Sequence, residues 1–324
     1  MSQLASPFAA GRDVSATRPL RCGVIGTGAQ AHFHREALSI RDSFQLVDAD
    51  AELLFIASSV NDRVAHAIAT LNAGQHVVIE VPVALSVSET AAVFETAAER
   101  RLHCEVWLPR RQQLDFLQAL NTLRTGMIGE LRQATLTLRQ LAPWMLPRPE
   151  SSPRQLLDVA DDEQALGVLA TFGWHYFDQL LEFVDSQPTR VWGRLSNAKL
   201  SFDALADCGS VAGIDTGFIA VIEFSNGCVG QVEIDLASSL SLGPSWTLQG
   251  QRGGYATGRQ SITVSDGEVY DVSVESTPCD PYSELLARLS DSGNRQAAEH
   301  SSDEVARLID AIRRSSSTGN VVGF

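Results

Sequence analysis

The sequence predicts an α/β fold in two domains: a parallel sheet with crossover helices, then an α+β domain with a large, mainly antiparallel open sheet. Three observations predict it. Strand and helix patterns alternate through about residue 108, longer β-runs follow Thr125-Gly126, and 324 residues with 44% apolar character suffice for two packed domains. We expect a mobile N-terminal arm over residues 1–20, the first domain over 21–124 and the second over 125–324.

The first domain is predicted to contain four short apolar strands, each bounded by residues that break strands. They cover residues 22–25, 53–58, 76–80 and 103–107. Helical patterns lie between them, and one helix is expected to begin at Ser86, where Glu89 three residues later completes a capping box.

The first strand enters the turn Gly26-Thr27-Gly28-Ala29-Gln30-Ala31, a Gly-x-Gly-x-x-Ala pattern that opens a Rossmann-like, dinucleotide-binding domain. The first glycine permits the tight turn, the second lets backbone approach a pyrophosphate, and the small alanine lets helix and strand pack. A turn kept only for folding explains the two glycines equally well.

The second domain is predicted from long β-runs over residues 131–139, 190–195, 217–224 and 228–236. Ser225-Asn226-Gly227 is expected to form a hairpin turn between the last two. Residues 303–314 have the pattern of a closing amphipathic helix.

Composition excludes several classes of function. The net charge is −14 and the chain has one lysine, Lys199, so nucleic acid is not an expected partner. His32 and His34 lie two apart near a helix start and point in different directions, so no metal site is expected. No stretch is long enough to span a membrane, and residues 1–20 lack the apolar core of a signal peptide.

The five cysteines also bear on location. Their number is odd and they lack Cys-x-x-Cys spacing, which favours buried, reduced thiols in a cytoplasm over disulfides or zinc ligands. They are Cys22, Cys104, Cys208, Cys228 and Cys279.

The chain resembles the glucose-fructose oxidoreductase, inositol dehydrogenase and rhizopine-catabolism family, written Gfo/Idh/MocA, over nearly everything after residue 20. The resemblance rests on the glycine turn followed by His34, and on four further segments in the family's order. These are residues 72–85 (NAGQHVVIEVPVAL), 126–131 (GMIGEL), 173–178 (GWHYFD) and 224–230 (FSNGCVG).

The resemblance implies NAD(P)-dependent redox chemistry on sugars or polyols, with homo-oligomers formed through the open sheet of the second domain. NAD or NADP is then the expected cofactor, and a sugar-type or polyol small molecule the expected partner. His175 aligns with the family's catalytic histidine, and Asp178 and Glu80 are the other candidate catalytic groups. The candidate cofactor-binding residues are Gly26, Thr27, Gly28, Gln30, Ala31, Ser58, Glu80 and Pro82.

Two catalytic positions depart from the family pattern. The lysine that follows Glu80 in the family is Val81 here, which has neither charge nor donor. The aspartate four residues before the catalytic histidine is Thr171, which supplies no negative charge to raise the basicity of His175. The sequence therefore predicts a degenerate active site.

Other residues near these positions have two interpretations each. Asp178 would either pair with His175 or cap the helix. One of Arg110 and Arg111 is expected to meet an anionic group at the carboxyl edge of the sheet. Trp107 and Trp174 are sugar-stacking walls or, more commonly for such residues, core.

The first domain is also shortened. The interval between the glycine turn and Glu80 is too short by roughly 25 to 30 residues, about one βαβ unit, so strands 2 and 3 are predicted to be missing. Asp48 is a relocated ribose ligand if residues 44–47 form a truncated strand 2, but the pattern favours Asp48-Ala49-Asp50 as a turn. The first strand would then be a sheet edge, covered by the N-terminal arm, a second subunit or residues 42–50.

Three functions follow from these observations. The first is an oxidoreductase with an altered site, in which His175 acts as acid or base. The second is a non-catalytic ligand-binding, regulatory or partner-subunit protein that has lost NAD(P) binding. The third is a cofactor-free hydrolase or lyase using His175, Asp178 and Glu80, which has the least support because no nucleophile and base stand at a recognisable spacing.

Overall fold

The computed structural model describes residues 18–141, 166–197, 215–257, 261–264, 267–271, 279–290 and 295–324. These residues form two compact units. The first contains the described residues up to Trp107 together with those of 280–304, and the second contains the rest. Cys208 and nearly all of the predicted N-terminal arm lie outside the described residues.

Within the described residues, the first unit has a five-stranded parallel sheet in the order β2-β1-β3-β4-β5. Its strands are β1 Leu20–Ile25, β2 Phe44–Leu46, β3 Leu53–Ile56, β4 His76–Ile79 and β5 Cys104–Val106. Its crossover helices are α1 Ala29–Ser39, α2 Val60–Asn72 and α3 Val87–Arg100. The Ser86 Oγ accepts a hydrogen bond from the Glu89 backbone N–H at 3.2 Å, which confirms the predicted helix start.

The edge of this sheet corrects one expectation. Residues Phe44–Leu46 pair in parallel with β1, so the position of strand 2 is filled and β1 is not an edge. The short interval before Glu80 led to the prediction that strands 2 and 3 were both missing, but a strand of three residues fits within that interval. The last hydrogen bond between β1 and the β2 segment runs from the Val47 N–H to the Cys22 carbonyl, at 2.8 Å. Residues 48–50 form a bend, which agrees with the turn favoured for Asp48-Ala49-Asp50.

The division into units also differs from the predicted boundary between residues 124 and 125. Helix α6, Pro281–Ser290, belongs to the first unit because Tyr282, Leu285 and Leu289 are buried in the same core as the sheet residues. Residues 108–124 belong to the second unit. The cause is packing between segments distant in the chain, which local patterns do not report.

In the described part of the second unit, nine strands form a mixed sheet in the order β13-β12-β11-β10-β6-β9-β8-β7-β14. Only β6 and β9 pair in parallel. The strands are β6 Leu131–Leu141, β7 Pro188–Ser196, β8 Gly217–Phe224, β9 Val229–Asp235, β10 Ala237–Gly250, β11 Gly253–Ala256, β12 Ser261–Val264, β13 Val269–Asp271 and β14 Val322–Gly323. Gly227 closes the predicted hairpin at a φ of +83°.

The helices of the second unit begin with a 3₁₀ turn, Pro109–Gln112, followed by α4, Leu114–Arg124, and α5, Gly167–Val184. The last helix, α7, covers Arg295–Thr318 and includes the predicted amphipathic segment; its residues up to 304 belong to the first unit and those from 305 to the second. Helix α5 begins where Asp215 accepts hydrogen bonds from the N–H groups of Val168 and Leu169, at 3.1 and 2.8 Å. No helix in the described part of the chain is both long and apolar enough to cross a membrane.

The tryptophans and cysteines occupy interior positions. Trp107 and Trp174 are 5% and 2% exposed, so the core interpretation is confirmed for both. Cys22 and Cys228 are buried, and burial raises the pKa of each thiol, that of Cys228 to about 11. Cys104 is buried as well, whereas Cys279 is partly exposed.

Candidate functional site

The glycine turn joins the carboxyl end of β1 to the first residue of α1. Gly26 has a φ of +134°, and a Cβ at this position would lie 2.1 Å from the Ala57 carbonyl oxygen, so only glycine fits. Gly28 is the N-cap of α1, where no side chain caps the helix and no acidic residue occupies the first turn. Ala31 is fully buried beneath the turn, and Thr27 is exposed. Open amide groups beside a close backbone approach fit the pyrophosphate of a dinucleotide.

A fully buried arginine brings together the next group of predicted cofactor residues. Arg63 of α2 donates from Nε and Nη2 to the Ser58 carbonyl, at 3.1 and 2.8 Å. Its Nη1 donates to the carbonyls of Pro82, at 2.7 Å, and Glu80, at 3.3 Å. The guanidinium therefore ties the loop after β3 to the loop after β4, at the carboxyl edge where ligands bind in open α/β sheets.

Arg63 was missed by the sequence analysis, although a signal for it exists. The buried positions of α2 include Val60, Arg63, Ala67 and Thr70, which follow the three-to-four spacing of a core-facing stripe. An arginine on such a stripe is buried, and a buried guanidinium needs hydrogen-bond acceptors. The spacing thus indicated a structural arginine, but not which carbonyls it binds.

The Glu80 carboxylate belongs to a buried chain of hydrogen bonds. Its Oε1 lies 2.7 Å from His34 Nε2, and His34 Nδ1 lies 2.8 Å from the Tyr282 hydroxyl. The other oxygen, Oε2, accepts from the Val81 N–H at 3.3 Å. His34 is completely buried, and burial, with the charge of Glu80, raises the pKa of Tyr282. These contacts hold the Glu80–Pro82 turn in place, and the catalytic role expected for Glu80 stays a prediction.

In the second unit, His175 of α5 has a weakly basic imidazole. Its buried Nδ1 has no hydrogen-bond partner among the described residues. Burial, together with the positive charge of Arg110, lowers the pKa of His175 to about 3. Thr171 gives it no support, because the threonine hydroxyl donates to the Gly167 carbonyl at 2.9 Å. The imidazole is therefore neutral near pH 7.

Asp178 pairs with an arginine rather than with His175, which corrects one expectation. Arg111 donates from Nε to Oδ2 at 2.6 Å and from Nη2 to Oδ1 at 2.5 Å, and Asp178 is 1% exposed. Both oxygens of this buried carboxylate accept hydrogen bonds from the guanidinium, so the pair occupies the group that was expected to exchange protons. Arg111 therefore pairs with a carboxylate of this chain, and the Arg110 guanidinium lies 5.4 Å from the Tyr176 ring centroid. The expectation that one of them meets an anionic ligand group stays a prediction.

Family models match both parts of the chain. A model described as the oxidoreductase family, NAD-binding Rossmann fold, matches residues 42–107. A model described as the GFO/IDH/MocA C-terminal domain matches residues 116–256. The first match begins after the glycine turn.

Curated relatives match only a segment. A glycosyl hydrolase family 109 protein of Shewanella pealeana is 28% identical over 102 residues, which are 32% of this chain and 22% of that protein. An uncharacterized oxidoreductase of Schizosaccharomyces pombe is 33% identical over 88 residues, 27% of this chain and 24% of that protein. The matched segments thus span about a quarter of each relative.

Solved structures match nearly the whole chain. An inositol dehydrogenase homolog of Azotobacter vinelandii, complexed with NADH and myo-inositol, has a TM-score of 0.73 at 16% identity and covers 95% of this chain and 98% of that one. An oxidoreductase of Agrobacterium radiobacter, in complex with NAD+, L-tartaric acid and magnesium, has a TM-score of 0.71 at 14% identity, with 94% and 98% covered. At these identities the likeness shows a shared fold.

Proposed function

Because this chain belongs to the Gfo/Idh/MocA family, an oxidoreductase family with an NAD-binding Rossmann fold, we propose that it binds NAD or NADP through its glycine turn. We propose further that it is related to sugar and polyol dehydrogenases and that its catalytic site is degenerate. The observation that carries the proposal is the geometry of the turn. Gly26 adopts a φ that favours glycine against a backbone carbonyl, and the α1 N-terminus has no side-chain cap.

Particular residues would hold such a cofactor. The backbone of Gly26, Thr27 and Gly28 would face the pyrophosphate. Ser58 and Pro82, whose carbonyls Arg63 fixes, would flank the nicotinamide half. When bound, the nicotinamide accepts or supplies a hydride.

The proton-transfer residues support slow turnover or none. Val81 offers no proton, Asp178 is held by Arg111, and a histidine with a pKa of about 3 is a weak general base. His175 can still form a hydrogen bond with a ligand hydroxyl through its neutral ring. A sugar-type or polyol ligand is supported by the named relatives, which include glycosyl hydrolases and an inositol dehydrogenase homolog.

Calorimetric titration of the purified protein with NAD, NADH, NADP and NADPH tests the proposal. We expect micromolar binding of at least one dinucleotide and its loss in Gly28→Asp, because a carboxylate at the turn repels the pyrophosphate. Ser88→Asp is the matched control, since it adds the same charge in the first turn of α3 on an exposed residue. Absence of saturable binding at millimolar dinucleotide would contradict the proposal.

The alternative is a non-catalytic ligand-binding, regulatory or partner-subunit protein, and the Arg111–Asp178 pair favours it because it removes a candidate proton carrier. A screen of sugars and polyols for NADH or NADPH formation separates the two. Turnover that disappears in His175→Ala excludes the alternative, whereas binding without turnover supports it.

We also propose that the protein is a cytoplasmic homo-oligomer associating through the open sheet. Leu240 and Leu242 of β10 are 62% and 49% exposed on that sheet, as an apolar contact surface would require. Light scattering coupled to size exclusion should report a multimer that Leu240→Glu weakens.

A further inference from the structure

The short edge strand leaves two backbone carbonyls beyond the reach of β2: that of Val24 in β1 and that of Gly26 in the turn that follows. Successive peptide groups of a strand point to opposite sides, so the carbonyls of Cys22 and Val24 face the β2 side. The Gly26 carbonyl lies beside that of Val24, because one nitrogen of Arg35 contacts both. The Cys22 carbonyl accepts from Val47, but β2 ends before the level of the other two. In a full-length strand 2, backbone N–H groups would continue this ladder.

A side chain of α1 takes the place of those missing donors. Arg35 donates from Nη2 to the Val24 carbonyl at 3.0 Å and to the Gly26 carbonyl at 2.7 Å. No carboxylate of the described residues lies within salt-bridge distance of it, and its Nε and Nη1 groups have no hydrogen-bond partner there. A partly exposed guanidinium with unused donors therefore stands beside the glycine turn.

This place has a defined role in dinucleotide-binding folds. At the end of strand 2, an acidic residue hydrogen-bonds the ribose 2′-hydroxyl of NAD, or a nearby arginine accommodates the 2′-phosphate of NADP. The acidic residue closest to the end of β2 is Asp48, which is exposed, lies in the bend after the strand and forms no ion pair with Arg35. The charged group that hydrogen bonds hold beside the turn is therefore the positive guanidinium of Arg35.

We propose that Arg35 recognises the 2′-phosphate of NADP(H), so that this protein prefers NADP(H) to NAD(H). A phosphate dianion would accept hydrogen bonds from Nε or from the two N–H groups of Nη1, while Nη2 keeps the guanidinium oriented through the Val24 and Gly26 carbonyls. Such charge-assisted hydrogen bonds are strong. The inference rests on the proposed function, since it names which dinucleotide the same turn binds.

Calorimetry with NADPH and NADH tests the preference without any need for turnover. We expect NADPH to bind more tightly, and Arg35→Gln to weaken NADPH by about 10- to 100-fold while changing NADH by less than about twofold. Glutamine keeps one N–H₂ donor but removes the positive charge and the Nε and Nη1 donors that would meet the phosphate. Arg100→Gln, which removes an exposed arginine bonded to Asn72 at the end of α3, is the matched control and should change neither affinity.

Two outcomes overturn the preference and leave dinucleotide binding intact: NADH bound as tightly as NADPH, or an Arg35→Gln variant that weakens both equally. Absence of binding by any dinucleotide instead defeats the proposed function itself. Adenosine 2′,5′-bisphosphate and 5′-AMP give a second readout, because only the former should lose affinity in Arg35→Gln. If Asp48→Asn rather than Arg35→Gln alters the selectivity, the acidic residue reads the ribose and the inference is wrong.

Discussion

Replacing Arg288 with methionine should destabilise the first unit, because it leaves the Glu105 carboxylate with one partner in the interior. Arg288 donates to the two carboxylate oxygens at 3.1 and 2.9 Å, and His103 Nε2 lies 2.9 Å from Oε2. Burial alone would raise the pKa of Glu105, but these partners lower it from 4.5 to about 2. That lowering corresponds to roughly 3 kcal/mol of stabilisation, and removing one partner of a buried pair costs about 3–5 kcal/mol.

The sign of the pH dependence follows from the same values. The pKa of Glu105 is lower in the folded state than in the unfolded chain, so the stabilisation is complete above about pH 5 and is lost as the pH falls towards 2. Arg288→Met should therefore lower the free energy of unfolding by about 3 kcal/mol at pH 7 and by much less at pH 3.

Urea unfolding followed by circular dichroism provides the measurement. Arg100→Met removes an exposed arginine and should stay within about 0.5 kcal/mol of the parent protein. Glu105→Gln combined with Arg288→Met should regain part of the loss, since the uncompensated charge is gone. The reasoning fails if Arg288→Met unfolds at the parent urea concentration, or if its deficit is the same at pH 7 and pH 3.

Three further outcomes are expected. Gly26→Ala should cost at least about 2 kcal/mol of stability, whereas Gly74→Ala, at a φ of +83° with open space around it, should cost about 1 kcal/mol; equal melting temperatures would contradict this. Tyr282→Phe should lower the free energy of unfolding by about 1–3 kcal/mol by leaving His34 Nδ1 unsatisfied, and unchanged urea midpoints would disprove it. The pKa of His175 is about 3 in the folded protein and about 6.5 in the unfolded chain, so below pH 6.5 only the unfolded chain takes up a proton at this residue. The free energy of unfolding should therefore fall between pH 6.5 and 4. His175→Gln should flatten that part of the plot of stability against pH.

The sequence alone was sufficient for the α/β class, the glycine turn and the start of α3. These features are local: strand alternation, a Gly-x-Gly pattern and a Ser86–Glu89 cap each act within a few residues. The hairpin at Gly227 belongs with them for the same reason. The resemblance to the Gfo/Idh/MocA family, confirmed by the family models, extended this local information to the whole fold.

The sequence was insufficient where a short element or a returning segment decides the structure. Strand β2 has three residues, too few for a periodic signal, yet pairing with β1 makes it the sheet edge. Helix α6 looks like any amphipathic helix of the second domain, and only the burial of Tyr282, Leu285 and Leu289 with the sheet residues assigns it to the first core.

Local patterns thus determined which elements form, and tertiary structure decided which charges they bring together. The sequence shows three arginines on helical or turn segments, but it does not show which groups they bind. In the fold, Arg63 ties two loops together, Arg35 completes a sheet edge and Arg111 pairs with Asp178. The physical reason is separation along the chain. Hydrophobic periodicity is read over a few residues, whereas a buried guanidinium or carboxylate is satisfied by acceptors or donors that only the packed chain places within 3 Å or so of it.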